Sequence, residues 1–355
     1  MNSHNEKPFR RPVARERWLW GALILAFFAC WAADLTVGSV QIPIREVFRA
    51  LTGAENLPRN WSVIVRDYRF PKSITALLSG AALSVAGLQM QTLFHNPLAD
   101  PFILGISSGA NLGAALVILT GIGGGFQSIG SLDLTGSVGL ILAAAIGSLL
   151  VFIPVILLAR SVHPATLLIS GVFVGSIVNA FVRILVQYAT PDAIQAYLSW
   201  TSGSFSGVTG NQLRIFAPVV LVGLALSALT IKPLNAFLLG DQQARSVGID
   251  PRRARRLTIA VASVLTGVVT AHCGIIGFIG IAIPHFCRSV FADSDHKVLL
   301  PACILAGSCV ALIADMISQS FGGTYLLPIN SVTALVGGPV ILAVILNKRS
   351  LSRDF

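Results

Sequence analysis

Apolar and polar positions in this chain fall into long blocks. Stretches of about 20 mostly apolar residues, the length an α-helix needs to cross a bilayer core, recur from end to end with short polar connections between them. Ten such blocks run Trp18–Val37, Ser73–Phe94, Phe102–Ile122, Gly136–Ala159, Pro164–Val186, Ile215–Ile231, Leu257–Cys273, Gly274–Phe291, Val298–Ser320 and Ser331–Leu346. They predict an all-α membrane protein of about ten transmembrane helices. The seventh and eighth are nearly continuous, and only Gly274, Gly277 and Gly280 suggest where the chain reverses. Fusing them would invert everything downstream. Two connections, Gly38–Lys72 and Lys232–Arg256, are long enough to form structure of their own.

Composition agrees: 54% of residues are hydrophobic and 11% charged, against about 25% charged in ordinary soluble domains. No soluble domain is left over. The chain divides into a tail at 1–17, a transmembrane domain at 18–346 with its long connection at about 232–256, and a tail at 347–355. Arg10, Arg11, Arg15 and Arg17 before the first block imitate a signal peptide. The block is long and Ala32-Ala33-Asp34 is a poor cleavage site, so it reads as a retained helix. A net charge of +10 would suit nucleic acid only with a basic, groove-reading face. The positive-inside rule explains it better. With ten spans, 17 of the 25 Lys and Arg lie on the side of the two termini, which predicts that both termini are cytoplasmic. The other eight are Arg45, Arg49, Arg59, Arg66, Arg69, Lys72, Arg183 and Arg214. All five cysteines sit in apolar runs without CxxC spacing and read as packing residues.

Candidates for chemistry are few. No GxxxxGK[ST] loop cradles a nucleotide. His272, Cys273, His285 and Cys287 are ligand types for zinc or heme iron, but their spacing matches no metal motif, and they read as a helix-end histidine and packing thiols. Asp100 and Asp315 are costly carboxylates within apolar surroundings. A proton relay needs more groups in series, and Asp100 reads as the cap of a helix beginning near Phe102. Arg183 either draws an anionic solute along a pathway or snorkels to the outer interface. Gly171 and Gly175, a GxxxG pair in the same block, either pack a neighbouring helix or widen a channel. Arg183, Gly171 and Gly175 are therefore the translocation-pathway candidates.

A series of short motifs carries a family signal. It begins at Arg69-Phe70-Pro71-Lys72, Gly80-Ala81-Ala82-Leu83, Gln89, Asn96-Pro97-Leu98-Ala99-Asp100-Pro101 and Leu104-Gly105. It continues at Trp200, Gly203-Ser204, Pro233-Leu234-Asn235, Leu239-Gly240, Ala244, Gly248, Gly277-Phe278-Ile279-Gly280, Pro284-His285, Arg288, Asp295-His296-Lys297 and Ala314-Asp315. In this order and spacing the chain resembles the FecCD-type permeases of ABC importers, over nearly everything after residue 60. Those permeases carry iron chelates, heme and cobalamin.

The resemblance implies the ABC type II importer permease architecture in a bacterial inner membrane. A second permease copy would complete a pathway at the dimer axis. Two cytoplasmic ATP-binding subunits would carry ATP and Mg, with no cofactor on this chain, and an external binding protein would deliver a metal-chelate solute. It assigns ATPase coupling to Pro233, Leu234, Asn235, Leu239, Gly240, Ala244 and Gly248, and binding-protein docking to Arg69 and Lys72. Three departures stand out. Lys72 replaces an arginine and loses its two-pronged fork. Gln319 replaces a basic residue. Leu326-Leu327-Pro328-Ile329-Asn330 replaces Glu-Leu-Pro-Val-Gly, with Asn330 expected to adopt the glycine's left-handed backbone. The expected function is import of an iron chelate, ferric siderophore or heme, without covalent chemistry. A cobalamin permease is the alternative cargo reading. An ion-coupled secondary transporter and an intramembrane metal enzyme are the rivals from other classes.

Overall fold

A computed structural model describes residues 13–38, 40–53, 58–121, 134–158, 162, 164–320 and 327–346. Residues 1–12 of the first tail, most of the Gly121–Gly125 loop, Arg160, Leu326 and the 347–355 tail lie outside the described residues. Helices α1 (Val13–Thr36), α2 (Ile44–Thr52) and α3 (Arg59–Val63) lead through a π-helical turn, Ile64–Arg69, into α4 (Phe70–Phe94). A 3-10 turn at Pro101–Leu104 precedes α5 (Ile106–Thr120), α6 (Leu134–Leu158), α7 (Pro164–Tyr188), α8 (Pro191–Thr201) and α9 (Gly210–Ser227). Two short helices, α10 (Ile231–Phe237) and α11 (Asp241–Ser246), fill the second long connection. The chain ends with α12 (Pro251–Cys273), α13 (Ile279–Phe291), α14 (His296–Ser320) and α15 (Ile329–Leu346). No strand occurs among the described residues.

Each of the ten apolar blocks has its helix: α1, α4, α5, α6, α7, α9, α12, α13, α14 and α15. Among the described residues, seven stretches are long and apolar enough to cross a membrane, and α5 and α13 are shorter apolar helices. The ambiguous stretch is broken as the glycines suggested. Gly274 (φ +74°) ends α12 and Phe278 (φ +70°) precedes α13. Gly274 passes so close to the Trp200 carbonyl that a Cβ would lie 2.2 Å from its oxygen.

The core sits around α4, whose residues from Pro71 to Phe94 are nearly all buried. Small residues let its neighbours approach. A Cβ on Gly80 would lie 2.1 Å from the Gly307 carbonyl oxygen on α14, and one on Gly87 would lie 1.9 Å from that of Gly280 on α13. Two hydroxyls tie α4 to α14 across this contact. Ser84 donates to the Cys303 carbonyl at 2.7 Å and Ser308 to that of Leu77 at 2.9 Å. Gly109 and Gly147 bring α5 and α6 together in the same manner. Lipid chains are as apolar as leucine, so close backbone contact and interhelical hydrogen bonds hold such helices together. Many large apolar side chains point outward instead, among them Leu25, Phe173, Ile177, Ile215 and Leu335.

Candidate functional site

The end of the molecule carrying the first long connection is held by buried charge. α2 turns Val47 and Ala50 inward against Leu35, Ile42 and Val65 and leaves Arg45 and Arg49 outside. Arg69, in the π-helical turn, is 5% exposed. Its guanidinium donates to the carbonyls of Leu35 at 3.0 Å and Thr36 at 2.9 Å, and to that of Val40. It thereby satisfies carbonyls that the end of α1 leaves without helical partners. Gly38 has to be small here, because a Cβ would lie 2.7 Å from the Arg69 Nη2. Lys72, three residues on and 7% exposed, pairs with Asp315 on α14 at 2.8 Å. Gln319 donates to the same Asp315 oxygen at 2.6 Å. Asp34 of α1 is fully buried in the same cluster. Both residues assigned to docking thus point into the protein and are satisfied there. Exposed basic residues on this connection are Arg45, Arg49, Arg59 and Arg66.

The opposite end carries the second long connection. Gly240 (φ +96°) and Gly248 (φ +83°) bracket α11 in backbone conformations that favour glycine. Asp241 pairs with Arg255 of α12, and Asp250 caps α12 by accepting from the Arg252 N–H at 2.9 Å. The seven residues assigned to coupling separate by position. Leu234 and Ala244 are buried anchors, Pro233 and Gly240 are half-buried, and Leu239 and Gly248 are exposed. Leu239 is 68% exposed and Val247 67%, large apolar side chains standing free on a connection rather than on a membrane helix. Such residues mark a contact surface. Val247 was missed because the motif names small and polar positions around it.

Asn235 faces inward. Its amide Nδ2 donates to Asp295 at 2.7 Å, and its Oδ1 accepts from the backbone N–H of His296 at 2.9 Å and the ring Nδ1 at 2.7 Å. Burial alone would raise the Asp295 carboxyl. Hydrogen bonds from the Lys297 N–H and the Asn235 amide, with the charges of Lys297 and His296, outweigh it and hold the group below its ordinary value of 3.8.

On α7 the pathway candidates lie on different faces. Gly171, Gly175, Val178 and Val182 form one buried stripe at helical spacing. Gly175 sits against Ser108 of α5, where a Cβ would come within 3.1 Å of its hydroxyl. Gly171 and Gly175 are both buried, and Gly175 packs directly on α5. Arg183 is exposed, in a stripe with Ser176, Asn179 and Gln187. Polar side chains at this spacing are out of place against lipid.

The remaining candidates scatter. His272 bonds through Nδ1 to the Val268 carbonyl at 2.9 Å and packs its ring at a tilt against that of Phe216, while the Cys273 sulfur faces Ser79 at 3.5 Å. Among the described residues no three His, Cys, Asp or Glu side chains gather as ion ligands. Asp100 does cap, accepting from the Phe102 N–H at 2.8 Å, although the element it starts is the 3-10 turn before α5. Asn330 is not left-handed. It lies in the first turn of α15 with an ordinary backbone, and its side-chain oxygen accepts from the Gly277 N–H at 3.1 Å. The amide, rather than its tolerance of positive φ, is what the substitution adds.

Comparison with known proteins fits this architecture. A vitamin B12 import system permease protein, BtuC, of Klebsiella pneumoniae subsp. pneumoniae is 35% identical over 334 residues, covering 94% of each chain. The hemin transport system permease protein HmuU of Yersinia pestis is 31% identical over 330 residues, covering 92% of this chain and 96% of its own. A solved metal-chelate type ABC transporter in an inward-facing conformation shares the fold, with a TM-score of 0.79 at 24% identity, covering 93% of this chain and 99% of that one. The FecCD transport family model matches residues 23–347. With ten apolar helices, a buried α4 and a structured connection at α10 and α11, the chain belongs to the FecCD transport family as a permease subunit of an ABC importer.

Proposed function

We propose that two copies of this chain form the membrane pathway of an importer for a bulky metal chelate, a ferric siderophore or heme. The exposed polar stripe of Ser176, Asn179, Arg183 and Gln187 on α7 carries this reading. Facing lipid it would cost free energy, whereas facing a wet pathway between two copies it is solvated and can guide an anionic chelate. The pathway role stays with Arg183 and passes from Gly171 and Gly175 to the polar stripe. ATP hydrolysis belongs to separate subunits, as in the permeases that this chain resembles. Two such subunits, holding ATP and Mg, would meet the exposed Leu239, Val247 and Gly248. Both termini would be cytoplasmic, in the inner membrane, following the distribution of Lys and Arg.

An external binding protein would dock at the other end. Arg69 and Lys72 serve that docking indirectly, by fixing α1 to α4 and α14 beneath the exposed Arg45, Arg49, Arg59 and Arg66. Acidic surfaces on the partner would meet this rim. Cobalamin is the second cargo reading, supported by the 35% identity to the vitamin B12 permease.

The test is uptake into proteoliposomes containing this permease, its ATP-binding subunits and its binding protein, offered ferric siderophore, heme and cobalamin in parallel. ATP-dependent uptake of an iron chelate supports the first reading. Uptake of cobalamin alone replaces it with the second. Uptake that survives an inactivated ATPase but collapses with an uncoupler would sink both.

A further inference from the structure

The Asn235 side chain is almost fully used inside the chain. The Asp295 carboxylate can only accept, so the Asn235 amide nitrogen must point at it, which fixes the amide orientation and leaves Oδ1 facing His296. Both lone pairs of Oδ1 are then occupied by the backbone and ring N–H of His296, and one amide hydrogen remains for any partner. His296 is fully buried, and its Nε2 lies 2.8 Å from the hydroxyl of Thr92 on α4. A second link runs beside the first: His95, at the end of α4, bonds through Nε2 to the carbonyl of Phe237, the last residue of α10, at 2.8 Å. A carbonyl only accepts, so that nitrogen carries the hydrogen. Two side-chain links thus join α10 to the ends of α4 and α14, a helix pair already fastened by the Gly80–Gly307 contact, Ser84, Ser308 and the Lys72–Asp315 pair.

We propose that Asn235, His296 and His95 are positioning residues that lock α10 to the α4–α14 pair, so that movement of the coupling connection reaches the opposite end of the molecule as a rigid-body displacement. This rests on the reading that Leu239 and Val247 meet an ATP-binding subunit. Asn235 is the hinge pin behind that surface and Leu239 is the surface itself. A packed helix pair with polar joints at both ends moves as a unit, because packed contacts switch between arrangements and do not stretch.

The experiment uses the full permease with its ATP-binding subunits and binding protein in proteoliposomes, reading subunit co-purification, ATP hydrolysis and solute transported per ATP. Asn235→Ala should retain the ATP-binding subunits and hydrolyse ATP while transport per ATP falls roughly three- to tenfold, the size of effect expected within a coupling path. Leu239→Ala should instead lose the ATP-binding subunits. His95→Asn tolerates the left-handed backbone at that position (φ +48°) but is too short to reach Phe237, and should lower transport per ATP in the same direction. His95→Gln restores the reach and should recover it. If Asn235→Ala does not fold, the two His95 variants carry the same decision. Loss of the ATP-binding subunits in Asn235→Ala would make Asn235 a docking contact and overturn the proposal, as would unchanged transport per ATP in both Asn235→Ala and His95→Asn. A wild-type permease that retains no ATP-binding subunit would overturn the coupling reading beneath it, and the joint with it.

Discussion

Helices α4 and α7 are both 25 residues long, and they are used in opposite ways. α4 carries Ser79, Ser84, Gln89, Gln91 and Thr92 and is buried on nearly every side. α7 carries Ile169, Phe173, Ile177, Phe181 and Ile184 and exposes them all. In water that distribution would be inverted. In a bilayer, apolarity does not sort inside from outside, since lipid accepts leucine as readily as a protein core does. Smallness and hydrogen-bonding capacity do the sorting, and α7 obeys the same rule on its one packed face, Gly171 and Gly175.

That contrast can be tested by substitution. Gly87→Val drives a branched side chain into the Gly280 carbonyl and should cost about 3 kcal/mol or more, seen as loss of folded, monodisperse protein. Ile177→Ala on the exposed face of α7 should leave thermal stability unchanged, and an equal loss in both would break the comparison. Next in size, Lys72→Ala strands the Asp315 carboxylate and should cost about 3 kcal/mol, most of it recovered in a Lys72→Leu, Asp315→Leu double variant. Binding-protein affinity in that double variant separates a positioning role for Lys72, which keeps it, from direct docking, which loses it. Arg183→Ala should fold normally and slow uptake of an anionic chelate severalfold, by roughly 1 kcal/mol of lost attraction. Normal uptake would return Arg183 to snorkelling.

The smallest expected effect is on pH dependence at the α10 joint. Asp295 has a folded-state pKa below its ordinary 3.8, so its contribution is complete above that value and is lost as pH falls through the lower folded value. Amide exchange in α10 should rise over that acid window in the wild type, and the rise should be absent from Asp295→Asn.

Much of the architecture could be read directly from residue order. Bilayer thickness imposes one length on every crossing segment, so all ten helices, both structured connections and the reversal near Gly274 follow from local runs and glycines. The Pro233–Gly248 motif marked the connection that folds as α10 and α11 for the same reason, because its residues are neighbours in sequence.

Direction was another matter. Arg69 and Lys72 look like surface charge in a short motif, yet one finds carbonyls at the end of α1 and the other a carboxylate far along the chain on α14. Asn235 looks like part of a docking face until Asp295 and His296 occupy its amide. Gly171 and Arg183 share a helix, and only the placement of α5 separates packing stripe from open stripe. Length and apolarity are local properties that the sequence determines by itself. Which way a polar side chain turns depends on the nearest group able to satisfy it, and distant segments supply that group only once the helices have packed.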